Sequence, residues 1–242
     1  MTMHRTPIRL AAAALAAFAL TGAGSALAQT TITQDKALAG AVTPGDTAGF
    51  PVTITQPGSY KLMSNLSVPA GATGIHITAQ NVTLDLNGYA ILGPGSCSRD
   101  DGTGSVVCTV QGGTSGVSGP QGMASNVAVR NGSIEGFGYG VAFGGGMVQG
   151  LRVRHNQFGV IANGTVREVQ AMLNHIGVQI TGGQATHSVA QLNDIGFSSS
   201  SPDEASVQAS HASFNRVGLN RVGSNANLVR ANKTNTSNVV AY

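Results

Sequence analysis

The sequence predicts an all-β protein, a single parallel β-solenoid whose short strands stack coil upon coil. Three observations carry this. A five-residue phrase, Asn–any–apolar–Gly–apolar, recurs four times, at Asn156–Val160, Asn174–Val178, Asn193–Phe197 and Asn215–Leu219, with steps of 18, 19 and 22 residues. A fixed period near 20 marks a stacked-repeat architecture, in which each unit buries its apolar face only against its neighbours. The intervening segments alternate apolar and polar residues, and no segment has amphipathic helical spacing of useful length. Three short strands with tight turns fill a unit of ~20 residues, each pairing with its equivalent one coil on at ~4.8 Å.

Residues 1–28 read as a secretory signal. Arg5 and Arg9 make a basic start, Leu10–Leu20 is an apolar run, and Ala26-Leu27-Ala28 supplies a small-x-small cleavage site. The run is shorter than the ~20 apolar residues a membrane span needs. The expectation is therefore export, to the periplasm or the cell exterior, with no transmembrane segment once the signal is removed. The 242 residues hold 13 Lys and Arg; without Arg5 and Arg9, 11 remain against 10 acids, a net of +1 over the other 214 positions. That near-neutral balance gives no electrostatic case for nucleic acid.

Residues 29–50 form a polar lead-in, expected as an extended cap, and 51–242 the solenoid. Val52-Thr53-Ile54-Thr55 and Tyr60-Lys61-Leu62 flank a Pro57-Gly58 turn. Ile75, Ile77, Val82, Leu84 and Leu86 then alternate with polar residues before Asn87-Gly88 turns the chain. Residues 93–123 break the pattern with Gly, Ser, Pro and Thr and are expected to be a lateral loop. Cys97 and Cys108, the only cysteines, both fall in that loop, and in an exported chain they are expected to pair as a disulfide. The pattern resumes at Asn126–Ile134, and Tyr139-Gly140-Val141 aligns with Phe158-Gly159-Val160. Alternating strands, Leu151/Val153, Val169/Ala171 and Val207/Ala209, occupy the segments between.

The recurrent Asn156, Asn174, Asn193 and Asn215 are read as a structural ladder. Asn tolerates left-handed backbone at turns, and stacked amides can hydrogen-bond along the axis. The Gly of the phrase is expected to allow a tight bend or bulge.

Asn81–Gly88 (Asn-Val-Thr-Leu-Asp-Leu-Asn-Gly) and Val129–Ile134 (Val-Arg-Asn-Gly-Ser-Ile), with the lead-in phrase Gln56–Leu62, resemble secreted right-handed parallel β-helix proteins of the pectin-lyase-like superfamily. The resemblance spans residues 50 to 240. It implies a single-stranded right-handed parallel β-helix, of roughly 7–9 coils at the observed period. Members include polysaccharide lyases, polygalacturonases, epimerases and phage tailspikes. The lyases use an acidic calcium cluster with an Arg or Lys base. Here Lys occurs only at Lys36, Lys61 and Lys233, and Asp100 and Asp101 adjoin only in the loop. The Gly-His-Gly and Arg-Ile-Lys phrases of polygalacturonases are absent. No cofactor is identified, and calcium enters only if the chain works as a lyase.

Registering the repeats places Gln157, His175, Asp194 and Arg216 in one axial column. His175, Asp194 and Arg216 are the candidate catalytic residues, as base, orienting acid and charge clamp; a surface ion-pair ladder is the plainer alternative. No second carboxylate aligns with Asp194 as a glycosidase would need. Glu135 and Arg130 flank a turn and are expected to pair. Tyr139, Phe158, Phe197 and Phe214 are expected to point inward. The functional expectation is an exported β-helix protein that meets a glycan or another surface, polysaccharide being the partner class. The alternative is a carbohydrate-active lyase or hydrolase. Oligomeric state is left open.

Overall fold

The computed structural model describes residues 29–122, 125–200, 204–237 and 239–241. The proposed signal lies outside the described residues. Among these, no helix is long and apolar enough to cross a membrane. The chain winds into a parallel β-solenoid of about ten turns with three faces.

The first face stacks Val52–Ile54, Ile75–Ile77, Ser115–Ser118 and Tyr139–Phe143, then the leading parts of Phe158–Arg167 and Ile176–Thr186, then Ile195–Ser199, Val217–Asn220 and Thr234–Ser237. The second face begins at Thr30–Ile32, continues through Gly58–Leu62 and Val82–Asp85, and reaches Val240–Ala241. The third runs from Leu66–Ser67 and Ala90–Leu92 to Leu228–Arg230. The pairings within these faces are parallel and one coil apart, with one register shift, between Ala162 and Asn163 where Phe158–Arg167 meets Ile176–Thr186. Alternation explains the register: a period-2 strand presents one row inward, and a one-residue slip would turn the apolar row outward.

The coil count exceeds the sequence expectation of 7–9. Thr30–Ile32, in the lead-in, pairs with Tyr60–Leu62 and supplies a rung. Ser115–Ser118, assigned to the loop, pairs with both Ile75–His76 and Tyr139–Ala142. That rung escapes notice because Val117 is its only large apolar residue. The lead-in also contains one helix, Gln34–Ala39, whose first turn is capped by the Thr33 hydroxyl accepting from Lys36 N–H at 3.2 Å. Ala37 of this helix is fully buried against the first coil.

The core is a set of axial columns. On the second face the inward positions run Tyr60, Leu84, Val129, Val148, Val166, Ala185 and Val207. On the third they run Ile91, Ile134, Val153, Ala171, Ala190 and Ala212. On these two faces large residues give way to Val and Ala, while on the first face the inward column enlarges from Val160 and Val178 to Phe197 and Leu219. Each buried Val or Leu contributes ~1.5–3 kcal/mol.

The corner between the third and first faces is built by the repeated phrase, by a route other than the one expected. The left-handed residue is the one before the Asn: His155, Leu173, Leu192, Phe214 and Ala231 have φ of 54–57°. The Asn that follows is buried and serves as a connector. Asn193 Oδ1 accepts from Asn174 N–H at 2.9 Å, while its Nδ2 donates to the Ala171 carbonyl at 3.0 Å and to Asn215 Oδ1 at 3.1 Å. The same bonds repeat at Asn156, Asn174 and Asn215. Asn232, whose phrase carries Asn235 in place of the Gly, accepts from Asn215 N–H and donates to the Ala212 carbonyl, and its second donor bond goes to Asn235 Oδ1 of its own coil. The backbone N–H groups at this corner have no strand partner, so the ladder satisfies donors that burial would otherwise leave unpaired.

The Gly of the phrase answers to close approach rather than to a bend. A Cβ on Gly140, Gly159, Gly177 or Gly196 would stand 2.4–2.7 Å from the carbonyl oxygen of the next coil's glycine. A second, unexpected ladder occupies the corner between the second and third faces. Ser188 Oγ accepts from Val169 N–H at 3.1 Å, Ser210 Oγ from Ser188 N–H at 3.2 Å, and Asn227 Oδ1 from Ser210 N–H at 2.9 Å.

Candidate functional site

The insertion after Leu92 is a two-stranded antiparallel hairpin, Ser96–Arg99 with Val106–Thr109, closed by the Cys97–Cys108 disulfide. An isolated hairpin is marginal in water, and this one is fixed along the Asn corner. Cys97 N–H lies 3.2 Å from His155 Nδ1, and both sulfurs sit 3.5–3.6 Å from the Asn156 carbonyl oxygen. Arg99 Nη2 donates to the Phe214 carbonyl at 3.2 Å, and Lys233 Nζ donates to the Gly102 carbonyl. At the hairpin's turn the Thr103 N–H and hydroxyl hold the Asp100 carboxyl below its ordinary range. The hairpin therefore runs the length of the axial column containing Gln157, His175, Asp194, Arg216 and Lys233.

The structure brings His175, Asp194 and Arg216 together beneath it. Arg216 grips Asp194 as a fork, Nε to Oδ1 and Nη2 to Oδ2, both at 2.7 Å. His175 Nδ1 lies 3.7 Å from Asp194 Oδ2 and 3.4 Å from the Val106 carbonyl oxygen of the hairpin. Asp194 is only 3% exposed. Burial pushes its carboxyl up. The Arg216 bonds and charge, the nearby His175 and the Val106 N–H outweigh that and hold the carboxyl below its ordinary range. Chemically, this is a carboxylate with both oxygens engaged, wedged between two coils and the hairpin. Among the described residues no group of three or more His, Cys, Asp or Glu could hold a metal ion.

Other expected contacts differ. Arg130 pairs with Asp85 on the preceding coil, and Glu135 with Arg154 on the next, so Arg130 and Glu135 do not pair with each other. In-register stacking puts charges one coil apart closer than charges flanking a turn. Of the four aromatics, only Phe197 is in the core. Tyr139 and Phe158 are half-buried and stack on each other at 5.4 Å, and Phe214, in the left-handed corner position, is 53% exposed.

The third face carries a groove that sequence reasoning did not single out. It has a volume of about 450 Å³ and lies over the buried Val153 and Ala171. The residues flanking the inward column on this face form two axial rows, of which the groove takes the first part. One row runs Ser133, Arg152, Gln170, Val189, His211, Leu228; the other runs Glu135, Arg154, Met172, Gln191, Ser213, Arg230, with Ser213 buried. A second depression of about 480 Å³ shares Val189 and extends the first row to His211 and Leu228. The alternation that revealed the strands also marks these outward positions, but varied polar residues give no recurrent phrase to notice.

No family model matches the chain, and no curated protein matches it. Among solved structures it is similar to the Dettilon tailspike protein (gp208), with a TM-score of 0.54 at 14% identity over 76% of this chain. The match spans 39% of that chain. A likeness at this identity speaks to the β-solenoid fold and assigns no family.

Proposed function

We propose that this protein is an exported β-helix that binds polysaccharide along its third face. The observation that carries the reading is the groove over Val153 and Ala171. It is an open depression across successive coils, lined by the guanidiniums of Arg152 and Arg154, the amides of Gln170 and Gln191 and the thioether of Met172. Such a surface offers hydrogen bonds to hydroxyls at regular intervals and apolar contact for sugar rings, with side chains held by rigid strands. The likeness to a tailspike protein is one of β-solenoid architecture, and fold alone does not fix function. The test is retention on immobilised polysaccharides. Wild type is retained on at least one polymer, and the pair Gln170→Ala with Met172→Ala releases it. Retention unchanged in that variant refutes the groove.

A second reading rests on one observation, the assembly of His175, Asp194 and Arg216 under the hairpin. In a lyase or hydrolase these would be base, orienting acid and charge clamp. Its test is product formation from uronate and neutral polymers, abolished in His175→Ala.

A further inference from the structure

We propose that the third face, from the groove to the end of its strand stack, selects a sparsely charged glycan, one whose acidic sugars are separated by several neutral ones, and that Arg152 in the groove and Arg230 beyond it take the acidic groups. The inference rests on the polysaccharide-binding reading above.

The argument begins with which guanidiniums are free. Arg99, Arg130, Arg154, Arg167 and Arg216 each pair with a carboxylate. On the third face Glu135 neutralises Arg154, which leaves Arg152 two positions away on the same face of the same strand. Arg152 is exposed and has no hydrogen-bond or ion partner among the described residues, and the same holds for Arg230. Register links the two. The third-face strand of Arg152 pairs with that of Gln170, then those of Val189, His211 and Leu228, the last of which contains Arg230. Four rungs at the strand spacing put them roughly 19 Å apart along the axis. Between them stand amides, a thioether, aliphatics and one imidazole, with no carboxylate.

That pattern discriminates. A polymer with an acid on every sugar would set most of its charges against neutral or apolar rungs, losing hydration without a counter-charge. A neutral polymer would leave both guanidiniums unused. A repeat of about four rungs with one acid satisfies both cations and lays neutral sugars on Gln170, Met172 and Gln191.

The experiment measures affinity by calorimetry for three polymers as short sodium-salt fragments: gellan, whose one acidic sugar per repeat is flanked by neutral sugars; polygalacturonate, acidic on every sugar; and dextran, uncharged. Variants Arg152→Gln and Arg230→Gln are compared with Arg221→Gln. Arg221 lies at another corner, bonded to the Ser200 carbonyl, and its removal changes net charge equally. Gellan binds tightest to wild type. Arg152→Gln and Arg230→Gln each weaken it roughly three- to tenfold, with dextran unchanged and Arg221→Gln without effect. Polygalacturonate binding tightest, or equal losses in all three variants, overturns the proposal. Dextran binding as tightly as gellan, with Arg152→Gln silent, overturns it too and leaves the groove a neutral-glycan site. Binding of no polymer at all removes the parent reading and this one together.

Discussion

Replacing Asn193 by Ala removes one rung of the buried corner ladder, and the structure sets the scale of the loss. The side chain is 0% exposed. Its loss leaves Asn174 N–H without the acceptor it holds at 2.9 Å and the Ala171 carbonyl without the donor at 3.0 Å. Each buried, unsatisfied backbone group costs about 1–3 kcal/mol, so the two together cost about 4 kcal/mol. For a chain of this size that lowers the midpoint of thermal unfolding by roughly 8–16 °C. The break also lies mid-stack, where it weakens coupling between adjacent coils, and the denaturant slope should fall with it. Asn232→Ala is the internal comparison. Asn232 makes the equivalent bonds, to Asn215 N–H at 2.8 Å and the Ala212 carbonyl at 3.0 Å, but is half-buried. Water can replace its partners, and the loss there stays under ~1.5 kcal/mol. Urea and thermal unfolding followed by circular dichroism measure both. Equal effects from the two variants, or an Asn193→Ala loss under ~1 kcal/mol, would refute the view that burial of the ladder is what makes it stabilising.

Gly177→Ala places a Cβ 2.7 Å from the Gly196 carbonyl oxygen and 3.0 Å from Asn193 Nδ2, whereas Gly112→Ala meets nothing within 4 Å; the first should cost ~1–3 kcal/mol in urea unfolding and the second almost nothing. Replacing both cysteines by Ser frees the hairpin without touching the core, so amide exchange should rise across 96–109 while the solenoid's thermal transition stays within a few degrees. Asp194 is held below its ordinary range in the folded state, so its charge stabilises the fold above the unfolded value near ~3.9 and loses that contribution as pH falls through the lower folded value. The stability gap between wild type and Asp194→Asn should therefore be flat above about pH 5 and close on acidification, in urea titrations across pH; a gap that widens toward acid contradicts the sign. Glu135→Gln releases Arg154 from its ion pair, and should raise retention on densely acidic polymers relative to neutral ones.

The parallel solenoid was legible in the sequence because its cause is periodic. Inward residues must alternate at period 2 within a strand and recur at the coil period, and Asn and Gly recur because each does one repeated job. The same periodicity placed His175, Asp194 and Arg216 in one column, and the in-register pairing brings them within contact. Only tertiary structure decided what covers them. The hairpin's seat depends on contacts between residues far apart in sequence, Val106 with His175 and Gly102 with Lys233. No local pattern encodes such contacts. The rungs at Thr30–Ile32 and Ser115–Ser118 were likewise decided by neighbours on both sides rather than by their own weak patterns. The groove belongs to the same class. Each outward side chain is an unremarkable polar residue in its own strand, and the row they form exists only once the coils are stacked. Sequence determined which residues face in, because burial selects them one coil at a time. Structure determined which outward charges stay unpaired, because pairing is a property of the stack.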